Sequence, residues 1–318
     1  MPQQTFAEVS FEQSRKPTRR ERLLDEMNRV VPWADLVATI EPVAPKAAGP
    51  GRPPVGVERM RRLHCLQQGF TLSELAVEEA RDDSRARRHF VGIELGREPV
   101  PEETTICKFR HLLEAHQRGD PLVARIGADL AAQGFTVSRG TLGDATIISA
   151  PRSTKTRQQE RDPERQQTKK GHQGYFGMTA HSGVASRTHL LPSVAAPAAH
   201  VQDRQMLPKL LQGQETRVWG AAASSGPHDV LRHHAPEAQR FLQTKAPRHR
   251  LLSEPERARN RTTSQVRANV DHVFWVMTQL FGWVNVRDRG LAKNTHGLLV
   301  TCGLTNLYRA RHRLLAGA

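Results

Sequence analysis

The N-terminal third of the chain carries apolar side chains at three- and four-residue spacing, the pattern of amphipathic helices. In the first such stretch Leu23, Leu24 and Met27 share one face. The pattern predicts helices over residues 20–31, 57–69 and 103–116. Gly69 is predicted to end the second of these helices in a left-handed conformation. A further helix is predicted to begin at a capping box formed by Thr71 and Glu74. Residues 1–18 are predicted to be a disordered arm, and the proline-rich residues 42–54 a linker.

From about residue 135 the pattern changes to short β-type runs bounded by glycine, serine and proline. These runs are residues 135–137, 140–150, 175–181 and 194–200. Residues 152–170 are polar throughout and are predicted to be a solvated loop. A helix over 203–211 and a short apolar segment at 216–222 are predicted to follow. After a poorly patterned region, two apolar stripes predict C-terminal helices, one from Val266 to Phe281 and one over 295–315.

Helices followed by strands interleaved with helices predict an α+β fold, with a helical domain preceding an α/β domain. The helices on either side of residue 70 have a short connection, as in a helix–turn–helix, and the arginine-rich residues 85–89 come next. This arrangement favours DNA docking by the helical part.

The charge of the chain strengthens the case for nucleic acid. There are 47 Lys and Arg against 32 Asp and Glu, a formal net charge of +15 at pH 7 that favours a polyanionic partner. No apolar run approaches the roughly 20 residues of a membrane span, so we expect no membrane association. Three widely spaced cysteines provide neither a disulfide framework nor a zinc finger. Walker loops, dinucleotide-binding glycine motifs and the serine-esterase motif are absent from the sequence.

Two aspartates are candidates for chemistry. Asp144 lies within an apolar, strand-like run, where a carboxylate needs a metal ion, an arginine or backbone amides to offset its desolvation. Asp271 follows Arg267 by four residues on a predicted helix, so that an ordinary i,i+4 ion pair is one interpretation. The other is that Asp144 and Asp271 together supply hard oxygen ligands for Mg²⁺ or Mn²⁺. The pattern alone leaves both open.

Several blocks, in order along the chain, resemble bacterial insertion-sequence transposases of the IS5 type. The blocks are residues 63–79, PEETTICKFRHLL at 101–113, DATIISAPRSTK at 144–155, RDPE at 161–164, QTKKGHQGYFGMTAH at 167–181, FGWVNVRDRGLAKNT at 281–295 and LTNL at 304–307. The resemblance implies a DDE transposase: an N-terminal helical DNA-binding domain over 19–120 and an RNase H-like catalytic domain over 130–315, with a mixed central sheet flanked by helices. Three acidic residues of this fold would hold two divalent metal ions for DNA strand cleavage and transfer.

Matched residue by residue, the resemblance makes Asp144 the first acid and Asp271 the third, which is a glutamate in the family. Arg267 matches the arginine of the family's Tyr-Arg-Glu signature, whose tyrosine position holds Ser264 here, and the later basic position holds Thr278.

The second acid has no counterpart, because its position holds Ala221. Asp203 matches a different family residue and Asp229 comes eight residues too late, so neither is a convincing substitute. The resemblance therefore implies a transposase whose catalysis is impaired in this copy. The alternative is a non-enzymatic, DNA-binding remnant of a transposase.

The expected partners are double-stranded DNA, both the inverted-repeat ends of the element and the target, and a second copy of the chain on that DNA. Basic residues beside the predicted site are candidates for phosphate contacts, although solvated basic faces are as common in such a protein. The candidates are Lys155, Lys169, Lys170, Arg287, Arg289 and Lys293. The expected location is the bacterial cytoplasm, associated with the nucleoid.

Overall fold

The computed structural model describes residues 16–46, 54–93, 100–135, 140–150, 162–170, 172–220, 228–244, 246 and 249–317. Helices dominate the first part of this range. They are α1 (Arg19–Val30), α2 (Trp33–Ala38), α3 (Val57–Gly69), α4 (Glu74–Asp83), α5 (Arg85–Val91), α6 (Glu103–Ala115) and α7 (Gly119–Ala132), with a 3₁₀ turn at Glu41–Val43. The helices predicted over 20–31, 57–69 and 103–116 are confirmed to within a residue at each end.

The second part begins with four strands, continues with helices and strands in turn, and ends with two helices. These elements are β1 (Gly140–Ser149), β2 (Gln166–Lys170), β3 (Gln173–Ala185), β4 (Ser193–Ala195), α8 (Asp203–Leu210), β5 (Arg217–Gly220), α9 (His228–His234), β6 (Gln239–Leu242), α10 (Glu254–Trp275) and α11 (Leu291–Ala316). A π-helical turn, Val276–Leu280, extends α10. None of the helices in the described ranges combines the length and the apolar character that a membrane crossing requires.

The strands form one mixed sheet in the order β2-β3-β1-β5-β6, and β4 pairs with the far end of β3. β1 and β3 are antiparallel along their whole overlap, from Thr141 opposite Ala185 to Ser149 opposite Gly177. β5 and β6 run parallel to β1. The structure confirms the predicted fold class, an α+β chain with N-terminal helices and a mixed sheet flanked by helices. The sheet is consistent with an RNase H-like domain.

Three local predictions were wrong. The loop predicted over 152–170 ends in a strand, because β2 forms a polar hairpin with the start of β3, from Gln166 opposite Gly177 to Lys170 opposite Gln173. The predicted capping box at Thr71 is not formed, since Ser73 is the N-cap of α4 and its hydroxyl accepts the Ala76 N–H at 3.1 Å.

The left-handed residue after α3 is Thr71, with φ of 55°, and not Gly69, which is the last residue of that helix. The Thr71 hydroxyl donates to the Phe281 carbonyl at 2.6 Å, so the turn is held by a distant part of the chain. A contact across 210 residues leaves no local signal in the sequence.

The last helix, α11, joins the two halves of the molecule. Leu298 and Cys302 pack into the core beneath the sheet, while Leu304 and Leu307 pack among the N-terminal helices. Since the helix is buried on both sides, its polar side chains must find internal partners. The amide of Asn306 accepts the Leu191 N–H at 2.7 Å and donates to the Leu191 carbonyl at 2.9 Å.

A buried pair of histidines joins α3 to α11. The Nε2 atoms of His64 and His296 are 3.4 Å apart, a geometry that suits two neutral rings of which one donates. Arg61, only 1% exposed, lies one turn before His64, and its guanidinium has no hydrogen-bond partner among the described residues. Burial, reinforced by the charges of Arg61 and Arg110, lowers the pKa of His296 to about 4. Burial and the neighbouring His296 lower the pKa of His64 as well.

We predict that stability falls between pH 7 and pH 5. His296 stays neutral in the folded chain down to about pH 4, whereas in the unfolded chain it binds a proton below about pH 6.5. The unfolded state therefore binds more protons in this window, and His296 alone should lower the free energy of unfolding by about 2 kcal/mol at pH 5 relative to pH 7. Urea denaturation at the two pH values measures the difference.

The matched variants for this measurement are His296→Gln and His116→Gln, since His116 is exposed. The first should reduce the pH dependence and the second should leave it unchanged. Equal stability of the native chain at pH 5 and pH 7 would contradict the assignment of neutral buried histidines.

We also predict that Asn306→Ala lowers the free energy of unfolding by about 2–4 kcal/mol, because it leaves the buried N–H and carbonyl of Leu191 without partners. Gln265→Ala, on an exposed position of α10, serves as the control and should change stability by less than about 0.5 kcal/mol. Equal effects of the two variants in urea denaturation would exclude the structural role of Asn306.

Candidate active site

Asp144 lies in the middle of β1, opposite Ser182 of β3. Its side chain is 24% exposed, so the carboxylate is only partly hydrated. Oδ1 accepts the backbone N–H of Ala145 at 2.9 Å and the guanidinium Nη2 of Arg267, also at 2.9 Å. The cost of placing a carboxylate in this strand is thus offset by a cation from another element.

Arg267 reaches the strand because α10 packs across the sheet. Val270 and Val273 of this helix are fully buried in the core that contains Leu142 and Ile148. Arg267, one turn before Val270, is directed along the same side and is 16% exposed. Its Nη1 donates to Oε1 of Gln243 at 3.2 Å, while its buried Nε has no hydrogen-bond partner within the described part of the chain.

A set of hydrogen bonds holds α10 against the end of β6. Asn260 accepts the Thr244 N–H and donates to the Thr244 carbonyl, both at 2.9 Å. Gln243 donates from Nε2 to the Ser264 hydroxyl at 2.6 Å, and its backbone N–H donates to Gly220 at 3.2 Å. Ser264, at the tyrosine position of the resemblance, therefore helps to orient the glutamine that contacts Arg267.

Asp271 lies one turn after Arg267 and is exposed. Within the described residues Arg267 pairs with Asp144 and not with Asp271, so the i,i+4 ion pair considered for the sequence is not formed. The structure brings Asp144 and Arg267 together. Asp271 lies about 6 Å beyond Arg267 along the axis of α10. No group of three His, Cys, Asp or Glu side chains able to hold a metal ion occurs in the described ranges.

Ala221, at the position that the resemblance gives to the second acid, lies outside the described residues. It directly follows Gly220, the last residue of β5, which runs parallel to β1 with Leu142 opposite Trp219. The carboxyl end of β5 is thus next to the segment of β1 that carries Asp144. Asp203 begins α8 and Asp229 lies in α9, and the structure does not describe either side chain. Thr278 stands where the resemblance expects a basic residue, and its hydroxyl donates to the Phe274 carbonyl at 2.8 Å.

The predicted DNA-contacting residues are in different surroundings. Lys169 is exposed on β2, Arg289 is exposed in the loop before α11, and Lys293 is partly exposed in the first turn of α11. Lys170 ends β2, with its side chain not described, and Lys155 lies outside the described residues.

Arg287 differs from the other candidates because its guanidinium is engaged inside the protein. Nη2 donates to the Leu72 carbonyl at 2.6 Å, and burial lowers the pKa of the side chain. This bond links the loop before α11 to the start of the α4 region.

Sequence reasoning missed a cluster of side chains that fixes the N-terminus of α11. The carboxylate of Asp162 accepts the Gly290 N–H at 2.7 Å, and that of Glu164 accepts the Leu291 N–H at 2.6 Å. Both carboxylates satisfy otherwise unpaired amides and oppose the positive end of the helix dipole. Arg165 pairs with Asp162 at 3.0 Å and donates to the Asp288 carbonyl at 2.5 Å. The only signal in the sequence was the RDPE block.

Arg110 completes the link to the helical layer. It pairs with Glu114 at 2.6 Å, Glu74 at 2.7 Å and Asp288 at 3.4 Å. Burial opposes the charge, but the hydrogen bonds to Glu114 and Glu74 outweigh it and raise the pKa of Arg110. The loop before α11 is therefore tied to α4 and α6 by charge.

Comparison with known families gives two matches. Residues 11–112 match the family described as Transposase domain (DUF772), and residues 136–307, more than half of the chain, match the family described as Transposase DDE domain. No solved structure matches the chain.

We predict a coupling free energy of about 1–3 kcal/mol between Asp144 and Arg267, because the pair is largely shielded from solvent and hydrogen-bonded. A double-mutant cycle with Asp144→Ala and Arg267→Ala, followed by urea denaturation, measures it. The control cycle uses Glu254 and Arg261, a pair on the same helix whose side chains are 69% and 68% exposed. That coupling should stay below about 1 kcal/mol. Equal values for the two cycles would refute the role given to the Asp144 pair.

Proposed function

The chain belongs to the DDE transposase family, and on this premise we propose that it is the transposase of an insertion sequence of the IS5 type, binding the ends of its own element, with strand cleavage impaired in this copy. The observation that carries the proposal is the strand-to-helix pair of Asp144 and Arg267, both of which lie within the residues that match the Transposase DDE domain.

The proposed substrate is duplex DNA. The net charge of +15 favours a polyanion, and the exposed side chains of Lys169 and Arg289 and the partly exposed Lys293 are the proposed phosphate contacts. For Arg287 the internal bond to Leu72 favours a structural role, and DNA contact by that residue would require the bond to open.

The cofactor expected from the family is Mg²⁺ or Mn²⁺ held by carboxylates. The donors of this chain fit that role only in part. Asp144 is hydrogen-bonded to a guanidinium, Asp271 is exposed one turn beyond it, and position 221 has no ligand atom in its side chain. Two carboxylates in place of three predict weak metal binding and a large loss of rate, because charge placement contributes most of the catalysis of phosphoryl transfer.

The chain's own residues retain one part of the chemistry. Arg267 supplies a fixed positive charge beside Asp144, which suits the approach of a DNA phosphate. Its contacts with Asp144 and Gln243 preorganise the guanidinium, so that little side-chain entropy is lost when an anion binds.

The alternative function is that of a DNA-binding remnant without catalysis. It is favoured by Ala221 and by the engagement of Asp144 with Arg267. Such a protein would occupy element ends and compete with active copies. In either case the proposed active form is a homodimer on DNA, since two ends must be brought together, and the proposed site of action is the nucleoid.

We predict that Ala221→Asp raises Mg²⁺-dependent cleavage of DNA carrying the terminal repeats of the element by on the order of 10²-fold or more, because it restores a third carboxylate. Gel analysis of labelled end-containing duplex measures the cleavage. Ala222→Asp is the matched control, with the same charge one residue away, and should not restore activity.

The possible results separate the two functions. Cleavage by the native chain as fast as by Ala221→Asp would overturn the impairment. End binding without cleavage by either chain would establish the remnant function. If neither chain binds the ends more tightly than random DNA, the proposed recognition fails.

A further inference from the structure

Two arginines from different helices lie over one phenylalanine on the surface of the helical layer. The guanidinium carbon of Arg20, in α1, is 5.3 Å from the ring centroid of Phe70, and that of Arg87, in α5, is 5.6 Å from the same centroid. The two segments that provide them, residues 16–22 and 85–89, contain seven Lys and Arg and a single Glu. We call Arg19, Arg20, Arg22, Arg85, Arg87 and Arg88 the arginine patch.

The patch is held together although its charges repel. Burial, together with the charge of Arg20, lowers the pKa of Arg87, which is the effect expected of like charges at close range. Packing of α1 against α5 fixes the two backbones, and Arg87 also donates to the Ala80 carbonyl at 3.3 Å. Cation–π contact with Phe70 offsets part of the repulsion.

The nearby acids are largely engaged elsewhere. Glu21 caps α1, its carboxylate accepting the Thr18 N–H at 3.3 Å, and Asp82 pairs with Arg81 at 2.8 Å. Asp83 attracts Arg87 and Asp82 also attracts Arg88, but two carboxylates do not balance the six arginines of the patch. The repulsion that remains favours an external anion.

The platform itself is rigid. Phe70 is the C-cap of α3, and the following Thr71 is fixed in a left-handed conformation by its hydrogen bond to the Phe281 carbonyl. A guanidinium held over a fixed ring loses little side-chain entropy when it binds an anion, which suits contact with a phosphate oxygen.

We propose that the arginine patch binds the phosphate backbone of duplex DNA, with Arg20 and Arg87 each contacting a phosphate. The inference rests on the proposed function for its choice of ligand. An acidic protein surface or a second copy of the chain could also present anions, but the whole chain is strongly cationic, which disfavours a second copy. The contact would be independent of sequence and would supplement recognition of the element ends.

The experiment measures binding of the full chain to a fluorescent duplex of random sequence, without metal, by anisotropy over a range of salt concentrations. Arg20→Ala and Arg87→Ala should each reduce the slope of log K against log salt by about 0.9, and the double variant by about 2. Arg313→Ala is the matched control, because Arg313 lies over a different ring, that of Phe135, at 4.6 Å, and its removal should leave the slope unchanged. Thermal melts check that all variants fold.

The outcomes distinguish this inference from the proposed function. A native chain that binds with a steep slope, unchanged in both patch variants, overturns the patch and leaves the transposase proposal standing. An equal loss in Arg313→Ala also overturns the patch. Loss of self-association in sedimentation, with DNA binding intact, would assign the patch to a second copy. If the native chain binds no duplex at all, both proposals fail.

Discussion

A carboxylate in a partly buried strand requires a compensating cation, and this requirement fixes the geometry of the candidate site. In this protein the cation comes from a helix more than 120 residues later in the chain, through the hydrogen bond from Arg267 to Asp144. The pair forms only if α10 packs on the sheet at the position that brings Arg267 next to Asp144, and the buried Val270 and Val273 fix that position. The site is therefore a consequence of core packing beneath the sheet, reinforced by a charge pair.

The helical layer is coupled to the sheet through the ends of α11. Its middle is buried on both sides, and its N-terminus is held by Asp162 and Glu164. The loop before it is tied to α4 and α6 by Arg110 and Arg287. Many of these contacts are charged or involve buried polar groups, so breaking any one leaves an unsatisfied partner at considerable cost. This argues that the helices and the sheet keep a fixed relative placement.

Periodicity predicted most helices and the long strands, because each buries one face and so imposes a regular spacing of apolar residues. It failed where structure depends on partners distant in sequence. β2 is polar because its side chains are largely exposed, and only pairing with β3 makes it a strand. Thr71 was predicted to be a capping residue, but its hydroxyl donates to the Phe281 carbonyl instead. The capping box that begins α10, formed by Ser253 and Glu256, lies in a region without a clear apolar pattern.

The site was predictable in part. Asp144 was recognisable because a carboxylate in an apolar run needs a partner, but the sequence could not choose between a metal ion and an arginine. The structure pairs it with Arg267. The placement of Asp271 relative to Asp144 depends on how far α10 is rotated about its axis, which the core residues determine jointly and no local pattern reveals.

The proposed absence of the second acid, with Ala221 at its position, would affect binding and catalysis in opposite directions. Each carboxylate near a scissile phosphate repels the DNA until a cation neutralises it, so removing one lowers that repulsion while it removes a ligand needed for cleavage. The surfaces proposed to hold DNA, including the arginine patch on α1 and α5, do not use Asp144 or Asp271. A transposase that loses this acid can therefore retain its affinity for DNA without the ability to cut it. Such a protein remains bound at its site, which is the physical basis on which a catalytically impaired copy could block an active one.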